Sequence, residues 1–145
     1  MAEHEDFHTL TGYRQQQISR MTESMEDYLE MICRMEEENP MVGVNEVARR
    51  LNVRPSSASK MIGKLRQEGL VLFERYGQIT LTEKGRERGA YLLWRHDVLI
   101  QFFCRLNRSD DQLRQVELIE HFLTEESVRN LEKLITVLPE QEANI

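Results

Sequence analysis

Arg54-Pro55-Ser56-Ser57-Ala58-Ser59-Lys60-Met61-Ile62-Gly63-Lys64-Leu65-Arg66-Gln67-Glu68-Gly69 is the stretch that decides the fold. Pro55 suits the first turn of a helix, where its missing N–H costs nothing. Gly69 suits the position just past a helix end. Between them Ala58, Met61 or Ile62, and Leu65 recur at helical spacing and are expected to pack inward. Ser56, Ser57, Lys60 and Lys64 are left facing out. An ordinary helical hairpin does not explain an outward face of serine and lysine with almost no acid. Just upstream, Asn45 can cap a short helix carrying Val47, Ala48 and Leu51, and Asn52-Val53 turns the chain. This is the layout of a helix-turn-helix, whose second helix presents small polar and basic side chains to a major groove.

Downstream the period changes. Leu70–Arg75 and Gln78–Leu81 are β-rich runs on either side of Tyr76-Gly77, a hairpin signal. Directly after a helix-turn-helix such a hairpin is a wing, with Arg75 and Tyr76 at a tip that can reach phosphate or the minor groove. Candidate DNA contacts are therefore Arg54, Ser56, Ser57, Ser59, Lys60, Lys64, Arg75 and Tyr76. Charge supports this placement. The 145-residue chain has a formal net charge of −6, yet residues 49–75 hold seven Lys/Arg and two Glu. That local net of +5 leaves −11 on the remainder, and a basic segment in an acidic chain is the footprint of a phosphate-binding face.

Composition bounds the rest. A hydrophobic fraction of 40% and a charged fraction of 30%, with three prolines and seven glycines, describe a helix-rich soluble protein of one domain or two small ones. No apolar run approaches a membrane span, and the N-terminus lacks the pattern of a secretory signal. Cys33 and Cys104 form no CxxC and read as reduced thiols of a cytoplasmic protein. His4-Glu5-Asp6-Phe7-His8 matches HExxH literally, but a zinc protease needs a long rigid helix, a third ligand and a walled cleft. At the terminus of this chain none of these is in prospect.

Ser24-Met25-Glu26-Asp27 reads as a capped helix start, and Asp27 and Glu30 share a helical face. By themselves they are a cap and a solvated acid. Thr82 caps a long helix with apolar residues on more than one face, which suggests burial both in its own domain and in a dimer interface. His96 lies in its middle. Ser109 or Asp110 is expected to cap the next helix, which contains Val116-Glu117-Leu118-Ile119-Glu120-His121 and stacks Glu117, Glu120 and His121 on one face. Thr124 caps a last helix that Pro139 closes. Six candidate metal ligands thus stand on three helices: Asp27, Glu30, His96, Glu117, Glu120 and His121. Their four carboxylates carry −4, which two divalent cations would neutralise. Carboxylates with imidazole and no sulfur suit Mn²⁺ or Fe²⁺, and would also take Co²⁺ or Zn²⁺.

Ser24–Glu30, Arg54–Met61, Leu81-Thr82-Glu83-Lys84-Gly85, Arg95-His96 and Val116–His121 recur in order at matching separations. Together they resemble the diphtheria-toxin-repressor family over about residues 22–138, and within it the manganese-sensing branch. In that branch the positions of Asp27 and Glu117 carry these acids in place of a Met and a Cys of the iron-sensing branch. The resemblance implies all six ligands of a binuclear Mn²⁺ site, two ions per chain, with Fe²⁺, Co²⁺, Zn²⁺ or Cd²⁺ as substitutes. It also implies a homodimer that binds a pseudo-palindromic double-stranded DNA operator and represses metal-uptake genes.

The expected architecture is mainly α: an extension over 1–21 with no assigned role, a winged helix-turn-helix over 22–82, an all-helical metal-binding and dimerisation domain over 83–138, and a tail over 139–145. Three other readings stand beside it: a regulator sensing iron, a regulator sensing no metal, and a di-metal carboxylate oxidase. The oxidase is disfavoured, because Glu-x-x-Glu-His occurs once and ferritin-like sites use Glu-x-x-His pairs.

Overall fold

The computed structural model describes residues 9, 10, 13, 21–74 and 77–140. The HExxH stretch, the wing tip Arg75-Tyr76 and residues 141–145 lie outside them. Helix α1 spans Glu23–Glu38. Its N-cap is Thr22, whose Oγ1 accepts from the Met25 N–H at 3.2 Å, so the expected cap Ser24 lies inside the first turn. Thr22 and Ser24 offer the same hydroxyl chemistry two residues apart, and only Thr22 has the extended backbone a cap needs.

Strand β1, Val42–Gly43, leads directly into α2, Val44–Leu51. Gly43 is the N-cap there, so Asn45 sits within the helix rather than capping it. Asn52 ends α2 in the left-handed region at φ 55°, which asparagine tolerates, and turns the chain into α3, Pro55–Gln67. Ala58, Ile62 and Leu65 of α3 are fully buried and Met61 half-buried. Strands β2, Val71–Phe73, and β3, Gln78–Leu81, form the expected hairpin. β1 adds a third strand in the order β1-β3-β2, with Val42 opposite Ile79 and Val71 opposite Leu81. Residues from α1 to Leu81, together with Leu92, close one core around Leu29, Ile32, Ile62, Leu65 and Ile79.

Helix α4, Glu83–Asn107, starts from Thr82, whose Oγ1 accepts from the Gly85 N–H at 3.0 Å. Gly89 lets it press against α1: a Cβ there would lie 2.0 Å from Cys33 Sγ. Cys33 is buried in this contact, and burial pushes its thiol up to about 11. Farther along, Val98 joins Val128 and Ile135 in a second, smaller core with Trp94, Phe102, Leu123 and Leu131 around it. Between the long helix and α6, Glu125–Ile135, comes α5, Leu113–Ile119, followed by a 3₁₀ turn at Glu120–Phe122. Gln112, not Ser109 or Asp110, is the N-cap of α5; Ser109 Oγ accepts from the Asp111 N–H in a local turn instead. Among the described residues no helix is long and apolar enough to cross a membrane.

Candidate metal centre

α1, the middle of α4 and the turn after α5 meet in a polar seam between the two cores. Helical period puts Asp27 and Glu30 on the seam side of α1. α4 delivers His96. The expected single helix through Val116–His121 breaks at Ile119, and the tighter 3₁₀ winding turns Glu120 and His121 inward while Glu117, one turn back on α5, stays exposed. Glu120 is 1% exposed. A carboxylate that deep needs partners, and it has two histidines.

Two groups of ligand atoms come together within 4.8 Å: Glu30, His96 and Glu120, and Asp27, Glu120 and His121. Glu120 belongs to both. Its Oε2 lies 2.9 Å from His96 Nδ1, and its Oε1 lies 4.0 Å from His121 Nε2. His96 Nδ1 is also 3.7 Å from Glu30 Oε1, and His121 Nε2 is 3.1 Å from Asp27 Oδ1. Five of the six sequence candidates therefore converge. Glu117 belongs to neither group; it lines a cleft of about 640 Å³ shared with Asp27, Glu30, His96 and Glu120. Neither group contains sulfur. Hard oxygen donors with borderline imidazole at these separations fit a divalent cation such as Mn²⁺.

The electrostatics follow from crowding. Burial raises the Glu30 carboxyl above its ordinary value, and the Glu120 charge adds to this; a hydrogen bond from Arg34 Nη2, 3.0 Å from Glu30 Oε1, opposes it. The hydrogen bond to Glu120 holds His96 above its ordinary value against burial. Burial works against a charged His121, but hydrogen bonds to Asp27 and Glu26 outweigh it and push the ring up to about 10. A cation held here would compete with protons for the imidazole nitrogens of His96 and His121.

Glu26 was not expected. It is 5% exposed and contacts His121 Nδ1 at 3.3 Å, Arg95 Nη1 at 3.3 Å and Arg88 Nη2 at 3.4 Å. Its neighbour Asp27 drew the sequence reading, because Glu26 acquires its partners only when chain positions 62 to 95 residues away fold onto it.

On the other side of the first core, α3 presents Ser56, Ser57, Ser59, Lys60 and Lys64 to solvent, with Arg54 as its N-cap. Arg75 and Tyr76 lie outside the described residues. Arg49 pairs with Glu46 and Arg50 with Glu38, so two of the seven basic residues of this segment are neutralised locally.

Residues 20–79 match the family described as iron dependent repressor, N-terminal DNA binding domain, and residues 82–141 match iron dependent repressor, metal binding and dimerisation domain. The chain is 37% identical over 125 residues to the HTH-type transcriptional regulator MntR of Geobacillus kaustophilus (strain HTA426), covering 86% of this chain and 89% of that protein. It is 36% identical to the MntR of Bacillus subtilis (strain 168), covering 84% and 87%. Among solved structures, the manganese regulator SloR superposes with a TM-score of 0.69 at 28% identity, covering 80% of this chain and 55% of that one. A manganese-dependent transcriptional repressor in complex with manganese gives 0.68 at 28%, covering 77% and 52%. The chain spans about half the length of these solved proteins.

Proposed function

The chain belongs to the iron-dependent repressor family, and from that premise we propose that it represses metal-uptake genes when Mn²⁺ is plentiful, by docking as a dimer on a pseudo-palindromic operator. It is a manganese-dependent DNA-binding transcriptional regulator with a dimerisation domain, and not an enzyme. The observation that carries the finer reading is Glu120, one buried carboxylate shared by two ligand groups drawn from both halves of the chain.

Asp27, Glu30, His96, Glu120 and His121 would hold two ions per chain, with Glu117 closing in from the cleft wall. Fe²⁺, Co²⁺, Zn²⁺ or Cd²⁺ would substitute by affinity alone. Bound there, the ions supply the positive charge that four neighbouring carboxylates lack. His96, His121 and Arg34 neutralise part of that charge in the structure. Asp27 and Glu30 lie on the helix that packs beneath α2 and α3, whereas His96, Glu120 and His121 lie in the other half. Tying these side chains together fixes the orientation of α3 relative to the dimer axis. Regulation then follows from unequal affinity for the DNA-competent and other orientations.

The recognition face is Arg54, Ser56, Ser57, Ser59, Lys60 and Lys64, with Arg75 and Tyr76 reaching from the wing. The domains divide at Thr82, as 22–82 and 83–138. The outer face of α5 is the dimer contact: Leu118 is 63% exposed there, and with Asp111, Arg114, Gln115 and Ile119 it lines a shallow groove. The protein works in the cytoplasm.

Titration of chelator-stripped protein with Mn²⁺, followed by the electron paramagnetic resonance of the free ion, tests the centre. Loss of two ions per chain with spin–spin broadening is expected. Glu120→Gln, which touches both groups, should weaken both ions by 100-fold or more, about 2.7 kcal/mol at each site, and abolish Mn²⁺-dependent retardation of operator DNA. An unchanged Mn²⁺ dependence in that variant would sink the proposal.

A further inference from the structure

Glu26 is not among the ligand candidates, yet it stands at the centre of the seam with its side chain 6% exposed. Its two oxygens face opposite ways. Oε1 lies 3.3 Å from His121 Nδ1, while Oε2 lies 3.3 Å from Arg95 Nη1 and 3.4 Å from Arg88 Nη2. The far ring nitrogen, His121 Nε2, faces Asp27.

Arg95 fixes the Glu26 carboxylate through the oxygen that does not face His121. Its side chain is 3% exposed, and both Nε and Nη2 are buried without a hydrogen-bond partner among the described residues. Arg95 Nη1 and Arg88 Nη2 share Glu26 Oε2, and the Arg95 guanidinium lies 5.8 Å from the centroid of the Tyr91 ring, so the carboxylate is gripped from a packed, buried position.

We infer that Glu26, clamped by Arg95, is the positioning residue for His121: it accepts the Nδ1–H and so leaves Nε2 as the nitrogen offered beside Asp27. The inference rests on the metal-centre reading above. A carboxylate on the far nitrogen of a ligating histidine fixes the tautomer, holds the ring plane and raises the basicity of the free nitrogen. The two groups around Glu120 are thereby supported differently. His96 meets Glu120 through its own Nδ1, whereas His121 is aimed from behind by a residue of another helix. Arg95 and His96 are adjacent on α4, so one helical turn serves the first group directly and the second through Glu26.

The test compares wild type with Glu26→Gln in the full-length protein. Mn²⁺ titration should show one of the two ions weakened by about 10- to 100-fold and the other unchanged. With ¹⁵N-labelled histidine and diamagnetic Zn²⁺ as probe, wild-type His121 should show a single form, protonated at Nδ1 and bound through Nε2, and the variant a mixture. Arg95→Gln, which keeps Glu26 but removes its clamp, should weaken the same ion less, and it carries the test if Glu26→Gln does not fold. Wild-type affinity for both ions, with a single His121 form in both variants, would overturn the positioning role alone. Failure of the wild type to take up Mn²⁺ would overturn the metal centre and this inference with it.

Discussion

The half of the molecule that ends at Leu81 buries seventeen residues in one continuous core, counting Leu92 from α4, whereas the half beyond it closes around Val98, Val128 and Ile135. Exposed large apolar side chains occur on both sides, with Met41, Val53, Leu72 and Phe73 in the first half and a somewhat larger set in the second. Leu106, Leu113, Leu118, Phe122, Leu134 and Val137 are about half exposed or more in the second half. With Leu99 and Val116 also fully buried, the second half holds five buried apolar side chains among the described residues, few for an independent domain. The first half is complete within one chain; the second is completed by a second copy, in line with its match to a dimerisation domain. The long helix joins the two through apolar packing at Gly89 and Leu92, and the polar seam with Glu30, His96, Glu120 and His121 lies between the cores.

The largest effect is expected where the incomplete half meets its copy. Leu118→Glu places a charge on the α5 face twice in a two-fold dimer, at about 1.5–3 kcal/mol of lost burial per copy. Sedimentation velocity should show monomer at concentrations where the wild type is dimeric, with the helix-turn-helix still folded by circular dichroism. A variant that stays dimeric would show that α5 is not the contact. Next comes the self-sufficient core. Ile62→Ala, at a fully buried site beneath the recognition face, should cost about 2–5 kcal/mol, read as a fall in thermal midpoint that does not depend on protein concentration. A concentration-dependent loss would erase the contrast between the halves.

The effect at the seam is confined to chelator-treated protein. His121 is held up to about 10 against an ordinary 6.5. Its charged contacts with Asp27 and Glu26 therefore stabilise chelator-treated protein fully below pH 6.5, and this contribution fades as pH rises through 10. Thermal melts across that window should decline, and His121→Gln should flatten the decline. Over the same range Mn²⁺ should bind more tightly as pH rises, because fewer protons must be displaced.

Local signals in the sequence were enough for most of the first half. Pro55 at the helix start, Gly69 after its end, the 58-62-65 spacing and the Thr82 cap are each decided within a few residues, and the structure has them all. Strand β1 was not legible. Its two residues become a strand only by pairing with Gln78 and Ile79, more than thirty residues away. The ligand set was legible as residue types but not as geometry. Glu117 and Glu120 are three apart in sequence, and only the change of winding after Ile119, imposed by packing, sends one to the surface and the other inside. Glu26 lacked any local signal. Next to Asp27 it reads as a first-turn acid, and its burial is decided by Arg95 and His121, far along the chain.

The long helix has a mechanical consequence. Leu92 belongs to one core and Val98 to the other, less than two turns apart on a single unbroken rod. Its 25 residues span roughly 37 Å at 1.5 Å per residue. A rod of that length is a lever: tilting it by about 5° about its middle moves each end by roughly 1.5 Å. A displacement of a few tenths of an ångström at His96, near the fulcrum, is therefore delivered severalfold larger at the ends of the rod. The protein needs no large rearrangement at the ion to move a helix out of register with a groove.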